Sequence, residues 1–195
     1  CPMPTLTAFI RSLLIATDIG LVGAGLFIYS GLYPIGADVP HNKLSYWLLE
    51  TLRERSIARA ASDIQIPSNL NTSDRLLAGG ADYNDMCAGC HLKPGKNESD
   101  FTIGLYPSPP NLTATADAHG HEHGSDTGSE EIAIQRQFWI IKHGIKASGM
   151  PAWGPTHSDD RIWNMVAFLQ RLPSLTEDQY QILTARGNAA ESHDH

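Results

Sequence analysis

Cys87-Ala88-Gly89-Cys90-His91 sets two thiols three positions apart, with an imidazole beside the second. Thiols at this spacing can add to the two vinyl groups of a haem as thioethers, and the adjacent histidine can then reach the iron. Taken alone, the pair has two other uses, as a thioredoxin-like redox centre or as half of a zinc site. Redox use calls for a βαβ setting, and no period-two strand pattern appears in the chain. Zinc calls for a further thiol or a histidine pair, and the one remaining cysteine, Cys1, is far away in the chain.

The flanks add to this. Gly79, Tyr83 and Cys87 are each four apart, so a glycine and an aromatic precede the first thiol on one helix face. A glycine there allows another helix to come close. Downstream, Gly149-Met150-Pro151 offers a thioether in a rigid turn, and the helix expected after it carries Trp163, Val166, Phe168 and Leu169 for packing.

Four motifs together make the chain resemble the class I c-type cytochromes: GxxxYxxxCxxCH at 79–91, PPNL at 109–112, WIIKHGIKASGMPAWG at 139–154 and DRIWNMVAFL at 160–169. The resemblance covers roughly residues 72–173. It implies a small all-α cytochrome c fold around one covalently attached haem c. Matched residue by residue, it implies that Cys87 and Cys90 hold the haem, that His91 is the proximal iron ligand and that Met150 is the distal one. It also implies a proline carbonyl that orients the histidine ring, with Pro110 the better match and Pro109 next. Such a bond fixes the tautomer and raises ligand basicity.

Among the other methionines, Met86 abuts the first thiol on its own helix, Met165 falls among core residues and Met3 precedes the apolar N-terminal segment. His143 and His157 are rival ligands, each seven positions from Met150, but the Gly-Met-Pro turn favours Met150. The chain departs from the family in a His-rich insert and a long N-terminal extension. His119, His121 and His123 alternate in the insert, with His193 and His195 at the tail. They are expected to be solvated rather than a copper, zinc or nickel site, because ordering so flexible a loop around a metal is entropically costly.

These residues need elements to hold them. Residues 13–32 are apolar apart from Asp18, and as a helix they would span about 30 Å, the thickness of the hydrocarbon core. The run is long for the apolar part of a signal peptide and has no clear cleavage site, so an uncleaved single-span anchor is expected. Ala16, Gly20 and Ala24 form a small-residue stripe of the kind that lets a second membrane helix approach. Asp18 either packs toward partner subunits or marks the membrane surface, with the span shifted to residues 19–35.

Residues 42–64 read as a helix with Leu44, Trp47, Leu48, Thr51, Leu52 and Arg55 on an amphipathic face for a membrane or a partner. Further helices are expected at 72–86, 130–143, 159–172 and 177–186, with a loop over 93–115. The resulting scheme is a transmembrane anchor at 1–40, a juxtamembrane amphipathic helix and linker at 41–71, a cytochrome c domain at 72–186 and a flexible tail at 187–195. The His/Gly-rich insert occupies 117–129 of the domain.

Composition sets bounds. Fourteen Lys and Arg against 21 Asp and Glu give a net charge of −7, which excludes a nucleic-acid module. Three cysteines are too few for a disulfide scaffold. A haem with both axial positions filled suits one-electron transfer and leaves no site for substrate. The expected function is therefore a membrane-anchored monohaem electron carrier, not itself an enzyme, passing single electrons between respiratory-chain partners. Those partners would be a dehydrogenase, a quinol-oxidising complex or a terminal oxidase, together with other transmembrane subunits; the chain could itself be a subunit of an oxidoreductase complex. The expected location is the inner (cytoplasmic) membrane, single-pass, with the haem domain on the periplasmic side. The alternative, of a different class, is a haem-based sensor or gas-binding module in which Met150 is weak or displaced.

Overall fold

Helix propensity and capping set the course of the chain. The computed structural model describes residues 5–114, 127–146 and 148–185. It is 62% helix, with no strand among the described residues, so the all-α expectation holds. The His-rich stretch over 117–126 and the tail from 186 lie outside the described residues. The chain divides into two units, residues 1–39 and 40–195.

The first unit is one helix, α1, Leu6–Ser30, which ends where Gly31 turns left-handed at φ 65°. It is long and apolar enough to cross a membrane, and none of its residues is buried. It starts earlier than the window read from sequence. It also runs straight through Asp18. The shifted span, 19–35, is not available, because Ile19 to Ser30 gives only about 18 Å of helix. Asp18 is thus a mid-helix residue.

The second unit opens with α2, Lys43–Ala61, capped by Asn42, whose side chain accepts from Ser45 N–H at 2.9 Å. Next comes α3, Ser73–Met86, then a single turn, α4, Ala88–His91, and the short α5, Asp100–Gly104. The long helix α6, Thr127–His143, starts three residues inside the stretch read from sequence as insert. It leads to α7, Asp159–Leu169, whose expected run to 172 is cut short when Pro173 turns Leu172–Ser174 into a 3-10 turn. The last element is α8, Glu177–Thr184, where Thr176 and Gln179 form the capping box.

Two consecutive glycines organise the core. A Cβ on Gly79 would lie 1.9 Å from the Asn164 carbonyl of α7, and one on Gly80 would lie 2.6 Å from the Leu183 carbonyl of α8. Side-chain-free contact on both sides lets α3 lie flush against two helices at once. Around that crossing Tyr83, Ile162, Met165, Val166, Phe168 and Leu172 are fully buried. Phe138 of α6 stacks on Trp163 of α7 with ring centroids 4.1 Å apart. Asp82 of α3 accepts from Arg161 Nε and Nη2 at 2.7 and 2.8 Å, pinning the α3–α7 crossing with a fork of charge-assisted bonds.

The α2 helix packs on α6 by a face other than the one read from sequence. Leu44, Trp47, Leu48 and Leu52 stay exposed, while Ile57 and Ala61 are each 2% exposed. Glu54 forms an ion pair with Arg136 of α6, and Gln135 Nε2–H donates to Ile64 O at 2.8 Å. Burial alone would raise the Glu54 pKa, but Arg136 and Arg53 outweigh it and hold the carboxyl below its usual range.

Candidate haem site

The site is assembled from the C-terminal end of α3 upward. Cys87 N–H donates to Tyr83 O at 2.9 Å, and in the next turn Cys90 and His91 N–H both donate to Cys87 O, at 3.0 and 2.8 Å. One local scaffold therefore presents both thiols and the imidazole. Leu92 closes it with φ 69°, in the left-handed region that a residue with a Cβ rarely adopts. Two contacts hold it there: its side chain is buried, and Tyr83 OH donates to Leu92 O at 2.7 Å. The same hydroxyl lies 3.3 Å from His91 O. The sequence flagged Tyr83 as an aromatic, but not as the anchor of the turn; nothing in the sequence marked Leu92.

His91 Nδ1 lies 2.9 Å from the carbonyl oxygen of Pro110. A carbonyl only accepts, so Nδ1 carries the hydrogen and Nε2 keeps its lone pair free for a metal. Burial lowers the His91 pKa, against a smaller opposing pull from the Pro110 bond, so the ring is neutral as a metal-binding imidazole must be. Leu112 N–H donates to His91 O at 3.2 Å and fastens the PPNL segment to the thiol turn. Burial pushes the Cys87 thiol up to about 12, helped by the charge of Asp82. That is opposite to the depressed thiol of a redox CxxC. Among the described residues no three His, Cys, Asp or Glu side chains gather into a group that could hold a metal ion.

Met150 is supplied by a loop folded back on α6. Gly144 ends that helix at φ 64°, and a Cβ there would meet Met150 O at 2.7 Å. Ile145 N–H donates to Met150 O at 3.1 Å, and Met150 N–H to Ser148 Oγ at 3.1 Å. Trp153 and Gly154 N–H bond back to Ile141 O and Lys142 O. Met150 is half-buried and packs against the same core cluster as Cys87, Met86, Trp153 and Leu169. Of the rivals, Met165 is 1% exposed in the core, the His143 ring lies tilted against that of Trp139 with centroids 4.9 Å apart, and His157 Nδ1 bonds Thr156. Met3, like the alternating histidines of the insert, lies outside the described residues.

This donor set fits a haem c. Two half-buried thiols sit on one turn with a tautomer-fixed imidazole, and a thioether on a rigid loop shares their core. Residues 74–169 match the family described as Cytochrome C oxidase, cbb3-type, subunit III. No curated protein matches the chain, and no solved structure does. The matched segment holds the thiol turn, the Pro110 carbonyl, the Met150 loop and the helix that packs beneath them. It is a cytochrome c domain, a haem-binding electron-transfer module, consistent with the class I c-type cytochromes.

Proposed function

We propose that the chain is a membrane-anchored monohaem cytochrome c. In this reading Cys87 and Cys90 would hold one haem covalently, His91 and Met150 would ligate its iron, and the Pro110 carbonyl fixes the His91 ring. The observation that carries it is the 2.9 Å bond from His91 Nδ1 to Pro110 O, which leaves Nε2 as the metal-facing nitrogen. Haem iron between an imidazole and a thioether supplies one-electron exchange, at a higher potential than a bis-histidine pair would give. The protein's own contribution is to keep the ligands still. Tyr83 braces the proximal turn, and the loop that carries Met150, bonded back to α6 through Gly144 at one end and Trp153 and Gly154 at the other, braces the distal one.

Helix α1 supports anchoring in a membrane; in this reading the membrane is the inner one and the haem domain lies on the periplasmic side. Its small-residue stripe and mid-helix Asp18 are supported best by contact with other transmembrane subunits. The electrons would pass between a respiratory dehydrogenase or quinol-oxidising complex and a terminal oxidase, in free encounters or within one oxidoreductase complex.

The test is the spectrum of the full chain in mild detergent. The ferric protein should show the weak far-red charge-transfer band of a Met–iron bond, lost in Met150→Ala. Ready binding of carbon monoxide by the ferrous wild type would overturn the carrier and favour a gas-binding module.

A further inference from the structure

A cavity of about 590 Å³ lies between α2, the C-terminal end of α6 and the loop that delivers Met150. Gly144, Ile145, Lys146 and Ser148 of that loop line it, and Ile145 and Ser148 bond to the Met150 backbone. Pro107 lines another side, three residues before the carbonyl that holds His91. The neighbouring Tyr106 ring meets His41 at 5.7 Å and Tyr46 at 6.4 Å, so the N-terminal end of α2 reaches the proximal segment. Farther along, Glu54 and Ile57 tie α2 to α6 on the distal side. The helix thus bridges both segments that deliver the axial ligands.

Neither Cys87 nor Cys90 lines this cavity; Cys87 packs against the core instead. A porphyrin attached through thioethers turns its far edge away from the cysteines, and in haem that edge carries two propionates. Carboxylates entering a partly buried cavity need cationic hydrogen-bond donors. The charged groups on its walls are Arg53 and Lys146, with one carboxylate, Glu50, that is paired to Arg53. Arg53 is held in place, its Nη2 donating to Glu50 at 2.5 Å and its Nε to Glu54 at 3.1 Å. Its Nη1 makes no bond among the described residues. The guanidinium is therefore fixed while one edge keeps its donors, and Lys146 forms no ion pair among the described residues.

We propose that α2, which lies outside the matched segment 74–169, forms the wall that receives the haem propionates, with Arg53 Nη1 and Lys146 Nζ as donors. This rests on the haem attachment proposed above. The helix between the anchor and the cytochrome domain then belongs to the cofactor site, and the Glu50–Arg53–Glu54–Arg136 chain of charges sets its donor in advance.

The test uses the full chain with haem attached, as wild type, Arg53→Gln, Lys146→Gln, Arg53→Lys and, as a control on the exposed side of α2, Arg55→Gln. All should keep the Met-ligated spectrum. Arg53→Gln and Lys146→Gln should each shift the reduction potential downward, because a nearby cation disfavours the ferric charge. Both should also shift the propionate bending bands in resonance Raman spectra. Arg53→Lys should recover the potential but not the band, since an ammonium restores charge without the planar fork. Arg55→Gln should move neither. A wild type without covalent haem would overturn the underlying reading and this proposal with it. A Met-ligated wild type whose Arg53→Gln and Lys146→Gln variants match Arg55→Gln in both readouts would overturn this proposal alone.

Discussion

Gly79 meets the carbonyl of Asn164 so closely that a Cβ built on it would lie 1.9 Å from that oxygen. The α3–α7 crossing is made of backbone against backbone, and it supports the thiol turn at one end of α3. Backbone cannot yield as a flexible side chain can. Gly79→Ala should therefore cost about 3 kcal/mol or more, or abolish the fold. The check is the urea midpoint, with the exposed Leu77→Ala as a control on the same helix. An unchanged midpoint in Gly79→Ala would show that the helices can slide apart cheaply.

The Asp82–Arg161 fork makes an asymmetric prediction. The Asp82 side chain is 10% exposed and that of Arg161 38%. Arg161→Ala strands a buried carboxylate, whereas Asp82→Ala leaves a guanidinium that water can reach. Arg161→Ala should cost about 3 kcal/mol, and Asp82→Ala nearer 1 kcal/mol because solvent screens what remains. A double-mutant cycle by chemical denaturation reads both losses and the coupling. Equal losses with no coupling would contradict the pinning role.

His157 gives the domain a pH response. Burial pushes its pKa down, and its Nε2 is buried with no hydrogen-bond partner among the described residues. The folded state therefore holds the neutral ring, and the unfolded chain binds a proton more readily. Stability is full above the unfolded value of about 6.5 and falls as pH drops through the lower folded value. In thermal melts between neutral pH and pH 5, His157→Gln should remove part of the wild-type slope. Identical slopes in the two proteins would rule out His157 as the source.

Ile57 tests whether α2 is part of the cooperative unit. It is 2% exposed against α6. Ile57→Ala should cost about 2–4 kcal/mol of global stability. Hydrogen exchange would reveal the contrary result, in which α2 amides open while those of α3 and α7 keep their protection.

Much of this was legible in advance because it is local. Asn42, Thr72 and Thr176 sit at the starts of their helices, Pro173 breaks α7, and the spacing of Gly79 and Tyr83 announces a close helix contact below the thiols. What escaped is non-local or concealed by composition. The Leu44, Trp47, Leu48 and Leu52 face of α2 is the greasier one by pattern. Yet the helix packs on α6 by the opposite face, where Ile57 and Ala61 are buried and Glu54 meets Arg136, a partner distant in sequence. The short α5 hides because its capping box pairs Ser99 with Thr102 rather than with Glu or Gln. Leu92 carries a left-handed backbone without the glycine that would advertise it, since Tyr83 and burial impose it from outside. The first turn of α6 was lost among the Gly and Ser of the insert.

The central claim is that the thiols of Cys87 and Cys90 carry one haem. Extraction of the purified full chain with acidified acetone, followed by the pyridine haemochrome spectrum and the intact mass, tests it most directly. One haem per chain should stay with the protein, and none should in the Cys87→Ala, Cys90→Ala double variant. Haem extracted quantitatively from the wild type, or retained by the double variant, would contradict it.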